Sequence, residues 1–225
     1  MYKTYLFLKK NKKDNKRIIA FLKKNKIFDL HVFVGEIGEK FPKKIYKKKK
    51  IDVLISYLSP WIIPEKILKK VKFQKINFHP GPPEFPGIGC FNFALHKKSN
   101  LYGVTAHEMS KKVDSGKIIK IRKFKVKKNQ SIESLIKKSY QEMFYLFKEI
   151  IINFKKKRKI YFSKLKWKRK AYTRKELEKL CEIKNFNNKR ELLNKIRSTY
   201  FEGYPGPYLK VHGFCFEYNP KRLKK

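Results

Sequence analysis

Cysteine is scarce. Cys90, Cys181 and Cys215 are odd in number, lie far apart and form no CxxC pair, which excludes a disulfide framework and a zinc knuckle. Glycine is scarce too: ten residues in 225, the first of them Gly35. No glycine follows the first apolar segment, so the glycine-rich turn of a dinucleotide fingerprint or a P-loop is missing between Lys9 and Lys13. Neither HExxH nor GxSxG occurs, which leaves zincin and nucleophile-elbow chemistry without a carrier. No run of about eighteen apolar residues exists, so no membrane span is expected. Tyr5 to Leu8 is too short for a signal-peptide core. A reducing, cytoplasmic setting fits these shortages.

Acidic residues are the last shortage. Asp plus Glu number 18 against 59 Lys plus Arg, a formal net charge of +41. Such an excess attracts polyanions: nucleic acid, anionic membrane, phosphorylated metabolites or polyglutamylated cofactors. It does not choose among them. The lysines are spread along the chain and Asn, Ile, Phe and Tyr are plentiful as well, a composition that AU-rich codons impose on any protein. Only Lys43 to Lys50 is a true run, and Pro42 and Tyr46 argue against its being a helix. Apolar residues make up 41% and aromatics 15%, too many for a disordered chain. At this length a core needs no metal or disulfide staple.

The remaining pattern alternates strands with helices. Tyr5 to Leu8, Leu30 to Val34, Asp52 to Leu58 and Gln74 to Phe78 read as strands, the third as one covered on both faces. Between them, residues 14–26 read as a helix with Asp14 as N-cap, and Pro64 opens a short helix over 64–70. This spacing predicts right-handed βαβ units and a parallel sheet with helices on both faces. Phe91 to Lys98 reads as a short helix, and Tyr102 to Met109 and Lys117 to Val126 as further strands. Residues 132–155 carry an uninterrupted apolar stripe at three- and four-residue spacing, which is core packing. Thr173 with Glu176 and Asn188 with Glu191 resemble capping boxes, and Tyr208 to Tyr218 reads as a hairpin about His212-Gly213. The expected organisation is a catalytic domain over 1–155 and a small C-terminal helix and hairpin region over 156–225.

Chemistry concentrates at Asn77-Phe78-His79-Pro80-Gly81. Asn77 and His79 are two apart, so on a strand they share a face. The carboxyl edge of a parallel sheet is where ligands bind, and Pro80 ends the strand there. Asp114 lies in a turn, Lys112-Val113-Asp114-Ser115-Gly116, between two later strands. An Asn donor, a His and an Asp suit acyl transfer: the amide polarises a carbonyl, the imidazole manages protons, and the carboxylate sets the imidazole's tautomer. Taken singly, an Asn-x-His on a strand and an Asp-Ser-Gly turn are more often structural.

Together, INFHPGPPEFPGIG, YGVTAHEM and KVDSGKII resemble the 10-formyltetrahydrofolate-dependent formyltransferases. The resemblance is strong over residues 50–125 and one of layout over 1–49. It implies a Rossmann-like α/β fold with 10-formyltetrahydrofolate as cofactor and no metal. It implies that Asn77 bonds the formyl oxygen, that His79 stabilises the tetrahedral intermediate and that Asp114 supports His79. It also implies a pterin slot formed by backbone near Trp61, Ile62 and Ile63 and by the loop at Lys112 and Val113. Ordinary loop packing is the competing account of Trp61 to Ile63.

The resemblance implies a primary amine as acceptor. The roughly seventy residues after 155 are too few for the C-terminal barrel of the tRNA enzymes, and Gly81-Pro82-Pro83 departs from their motif. The sequence looks closest to the nucleotide-sugar N-formyltransferases, so the expected partner is a nucleotide-linked amino sugar, with the C-terminal segment serving homodimerisation. An enzyme acting on initiator tRNA is the alternative. A non-enzymatic nucleic-acid binder on a degenerate fold is the third reading, and the intact Asn77, His79 and Asp114 argue against it.

Overall fold

The computed structural model describes residues 1–10, 13–185 and 187–223. Its larger sheet contains β1 (Tyr2–Lys9), β2 (Phe28–Gly35), β3 (Ile51–Tyr57), β4 (Val71–His79), β5 (Leu101–Glu108) and β6 (Ile118–Lys125). They lie in the order β2-β1-β3-β4-β5-β6. The first four in that order are mutually parallel, β5 runs antiparallel to β4, and β6 runs antiparallel to β5. β3 is buried at all seven positions, as its near-continuous apolar run requires of a strand covered on both faces.

The helices are α1 (Asp14–Lys24), α2 (Glu65–Leu68), α3 (Cys90–His96), α4 (Ile132–Lys157), α5 (Arg174–Cys181) and α6 (Lys189–Thr199). Two local expectations change. Asp14 is not the N-cap of α1. Lys13 holds that place with helical dihedrals, and Asp14 pairs with Arg17 at 2.9 Å in the first turn. A capping side chain needs extended backbone, whereas a carboxylate in the first turn still complements the helix dipole. Asn11 and Lys12, within the Lys9 to Lys13 turn, lie outside the described residues. Lys43–Lys47 forms a short 3-10 helix despite Pro42 and Tyr46. Pro42 precedes the turn, where its fixed φ is no obstacle, and Ile45 is fully buried beneath it.

The pleat sorts the sheet into two faces. Leu6, Leu8, Val53, Ile55, Ile76, Phe78, Val104 and Ala106 face the long helix α4 and the inner side of α1. Phe147 of α4 sits among the rings of Phe21, Tyr57 and Phe78. Truncating such a ring to alanine costs about 3–5 kcal/mol. On the opposite face, Tyr5, Phe7 and Leu54 pack under Ile45, Ile63, Ile67, Leu68 and Met109. Only short helices and loops cover that face, and the polar side chains of β4 and β5 open onto it.

Beyond α4 the chain returns to the sheet. Tyr172 and Leu180 share a buried cluster with Phe93 and Tyr102. α5 begins with a full capping box between Thr173 and Glu176. α6 is tied to α3 by Asn194 Nδ2 to the His96 carbonyl (3.0 Å) and Arg197 to the Leu95 carbonyl (3.1 Å). β7 (Tyr208–Val211) and β8 (Phe214–Glu217) form the hairpin. Its two turn residues, His212 and Gly213, both have positive φ, the conformation of a tight two-residue hairpin turn.

Candidate active site

Asn77 and His79 on β4 and Thr105 and His107 on β5 project from the face opposite α4. The register sets Asn77 opposite His107 and His79 opposite Thr105. Asp114 comes from the loop joining β5 to β6. Its φ is +42°, a conformation Asp tolerates better than most side chains, and Ser115 Oγ donates to the Lys112 carbonyl at 2.9 Å to close the turn.

The Asp114 side chain is 5% exposed and meets four groups. Oδ2 accepts the Gly87 N–H at 2.7 Å and faces His79 Nδ1 at 3.1 Å. Oδ1 faces His107 Nε2 at 3.1 Å and Asn77 Nδ2 at 3.5 Å. Asn77 Nδ2 also lies 3.0 Å from His107 Nε2. A carboxylate only accepts, so the amide NH2 of Asn77 is the end that belongs here. Gly87 has φ +85°, and a Cβ there would run into the Tyr172 backbone. The N–H that holds Asp114 therefore comes from a position that only glycine fills without strain.

The electrostatics follow from burial. Burial pushes the Asp114 carboxyl up, but the two imidazoles and the Gly87 N–H together hold it far below the usual carboxylate range. Burial pulls His79 below the ordinary imidazole value, against the opposing pull of Asp114 and the Phe85 carbonyl. A charged His79 would attract Asp114 most, yet burial keeps that ring neutral at neutral pH. Without that charge the Gly87 N–H at 2.7 Å is the contact that still lowers Asp114. His79 Nε2 lies 3.0 Å from the Phe85 carbonyl, so both ring nitrogens face acceptors. A neutral ring has one proton for the two. Protonation would satisfy both contacts, and burial opposes it.

A cleft of about 170 Å³ lies beside this cluster, lined by Trp61, Ile62, Ile63, Lys112 and Val113 together with Asn77, His107 and Asp114. The five residues at the expected pterin slot thus line one cleft. Trp61 is built into its wall: the indole stands edge-on to Phe7 and Phe41, and Nε1–H donates to the Glu39 carbonyl at 2.9 Å. Ile63 is buried, whereas Ile62 and Val113 are 69% and 43% exposed. His79 does not line the cleft and stands behind Asp114. His107 lines it and was not singled out from sequence; its position after Gly-Val-Thr on an alternating strand was the available signal, but its register against Asn77 is tertiary. Trp167 was also missed. Its ring lies 5.0 Å from His107 and 6.0 Å from His79. Among the described residues no group of three or more His, Cys, Asp or Glu could hold a metal ion.

An amide donor, two imidazoles and a buried carboxylate are thus gathered beside an apolar cleft at the end of a parallel strand. The chain belongs to the formyl transferase family, whose model matches residues 11–149. It is 33% identical over 112 residues to the bifunctional polymyxin resistance protein ArnA of Wigglesworthia glossinidia brevipalpis, covering 49% of this chain and 17% of that protein. It is 28% identical over 115 residues to the methionyl-tRNA formyltransferase of Mycoplasmopsis pulmonis, covering 45% of this chain and 40% of that one. The chain thus spans less than half the length of either relative. Among solved structures, a sugar N-formyltransferase from a Shewanella species superposes with a TM-score of 0.75 at 17% identity, over 96% of each chain. An N-formyltransferase from Helicobacter canadensis, in complex with folinic acid and dTDP-3-aminofucose, superposes with a TM-score of 0.71 at 18% identity, over 95% of this chain and 85% of that one. At such identities the likeness is one of fold.

Proposed function

We propose that the protein transfers a formyl group from 10-formyltetrahydrofolate to the primary amine of a nucleotide-linked amino sugar. The observation that carries this reading is the Asn77 amide beside buried Asp114 at a cleft with apolar lips. Exposed Ile62 and Val113 are the side chains a flat heteroaromatic ring would cover, and the cleft has room for one such ring. Lys112 lines the same cleft and suits the anionic tail. The cofactor supplies an activated formyl group on nitrogen.

The chain's own groups then have distinct tasks. Asn77 turns an N–H toward the formyl oxygen, where negative charge develops during attack. Asp114, ionised and flanked by His107 and His79, relays the proton lost by the attacking amine to the departing nitrogen, so that one carbonyl–nitrogen bond breaks as the other forms and tetrahydrofolate leaves as a neutral amine. His79 holds Asp114 from behind and takes up part of that proton's charge. His107, bonded through Nδ1 to the Glu108 carbonyl at 2.8 Å, keeps its ring fixed against Asn77. The amine attacks as the free base, so turnover rises with pH until the amine is deprotonated.

The fold shared with the sugar N-formyltransferase structures supports the sugar acceptor. A second reading is an aminoacylated tRNA, favoured by the +41 charge and by the methionyl-tRNA formyltransferase relative. Absorbance of released tetrahydrofolate, with amino sugars linked to nucleotides and with charged initiator tRNA at two salt concentrations, tests both. Release with a sugar supports the first; release with tRNA alone, weakening steeply with salt, replaces it with the second. No release with any amine refutes both. We also propose a homodimer through one hairpin face, where Leu209, Val211, Phe214 and Phe216 are cross-strand neighbours and the two phenylalanines are 69% and 58% exposed. Sedimentation that stays monomeric at high concentration refutes it. A cytoplasmic location is in keeping with three free cysteines.

A further inference from the structure

The segment after α4 crosses the edge strand β6 and is stitched to both loops that carry the site. Ser163 N–H donates to the Ile118 carbonyl at 2.7 Å, Lys168 N–H to the Pro83 carbonyl at 3.0 Å and Tyr172 N–H to the Pro86 carbonyl at 2.8 Å. Between these anchors stands Trp167. Its Nε1–H donates to the Gly116 carbonyl at 2.8 Å, two residues from Asp114. Its ring meets His107 at 5.0 Å with an interplanar angle of 88°, and His79 at 6.0 Å and 66°. Further on, Arg169 lies over the Tyr172 ring at 3.2 Å, and Tyr172 stacks on Phe93 at 3.6 Å. Trp167 lies outside the segment that matches the family, and one side chain touches both imidazoles that flank the same carboxylate.

Aromatic rings met edge to face hold one another's planes. An imidazole that can turn loses its bond to a carboxylate, and water reaching the back of Asp114 would compete for the proton that the cleft side must handle. We propose that Trp167 is a positioning residue for formyl transfer: it fixes the planes of His79 and His107 against Asp114 and keeps water from the side of the carboxylate away from the cleft. The mechanistic part rests on the formyl-transfer reading; the placement of the rings does not. The ionisable groups near the two rings are Asp114 from the loop, each ring to the other, and the Cys90 thiol of α3, which burial pushes up to about 12 and so keeps neutral. The Glu108 carboxylate of β5 is directed to Lys75 at 3.9 Å. On the segment itself Lys166 and Lys168 are exposed.

The test combines W167A and W167F with two readouts. Imidazole titration of His79 and His107 by nitrogen–proton NMR needs no substrate. In W167A, water reaches the rings, and the burial that pulls His79 down is relieved; its midpoint moves up by half a pH unit or more. W167F keeps a ring at the site and titrates as the native protein does. In the formyl-transfer assay, W167A lowers kcat about tenfold or more with the cofactor KM within about threefold; W167F recovers most of kcat. Unchanged imidazole midpoints in W167A overturn the proposal, as does a loss carried entirely by KM. If W167A does not fold, W167F decides: it keeps a ring but loses the N–H bonded to the Gly116 carbonyl, so a kcat lowered about tenfold or more would assign Trp167 to anchoring alone and overturn the proposal. Should the native protein transfer no formyl group, the titrations still judge the ring placement, and only the functional reading falls.

Discussion

Replacing Asn77 with alanine removes one amide from the centre of the site and leaves the apolar lining of the cleft, Trp61, Ile62, Ile63 and Val113, intact. Asn77 Nδ2 makes a 3.0 Å contact to His107 and a 3.5 Å contact to Asp114, the second at the outer limit for a hydrogen bond. Asp114 keeps the Gly87 N–H at 2.7 Å and both imidazoles at 3.1 Å. The stability cost is therefore that of one ordinary hydrogen bond, about 1 kcal/mol. The kinetic cost is that of an oxyanion donor, a fall in kcat of about 10² to 10³, or about 3–4 kcal/mol of barrier. Trp61, Ile62, Ile63, Lys112 and Val113 are untouched, so the cofactor KM stays within about threefold. Asn77→Asp sharpens the case. A second carboxylate 3.5 Å from Asp114 would repel it by about 5 kcal/mol at an effective dielectric constant of about 20, so one of the pair takes up a proton and the variant is less stable than N77A. Turnover is read from tetrahydrofolate release and stability from urea denaturation. An N77A enzyme with kcat within threefold of native, or a loss carried by KM, would refute the assignment of the oxyanion donor.

Gly87→Ala places a Cβ against the Tyr172 backbone at φ +85°, so the variant loses about 1–3 kcal/mol and turnover falls with it; a urea midpoint equal to native would contradict this. His107→Ala leaves Asn77 and Asp114 without the ring that both contact, and kcat drops by about tenfold or more in the release assay while the fold survives. Acid stability has two steps. His79 and Asp114 both have folded pKa values below their unfolded ones, so the unfolded chain binds more protons as pH falls. The His79 contribution is complete above about pH 6.5 and is lost as pH drops below it; the Asp114 contribution is complete above about pH 4 and is lost on further acidification. Urea midpoints followed from pH 7.5 to 4.5 show the first step, and it disappears in His79→Gln. Added sodium chloride raises the urea midpoint at pH 7, because screening relieves the self-repulsion of +41 charges; a midpoint that falls with salt would show that ion pairs outweigh the repulsion.

Much of this molecule is legible in one dimension because the information is local. β3 reads as a buried strand from DVLISYL, α4 from its apolar stripe, and the two C-terminal helices from side chains that cap their own first turns. The Asn77–His79 pair is legible for the same reason: period-two geometry puts both on one face wherever the strand lies. The Asp14 cap failed because a capping residue must itself have extended dihedrals, which residue type alone does not set, and Asp14 lies inside the first turn of α1.

Sequence by itself determined which groups exist, their spacing along each element and the shortage of glycine at every turn but a few. Only the tertiary structure decided who meets whom. The β4–β5 register brings His107 to Asn77 across thirty residues, Gly87 reaches Asp114 from another loop, and the segment after α4 returns to lay Trp167 over both imidazoles. Those contacts come from sheet order and from loops closing on one another, and side-chain spacing along the chain carries no record of distances across it.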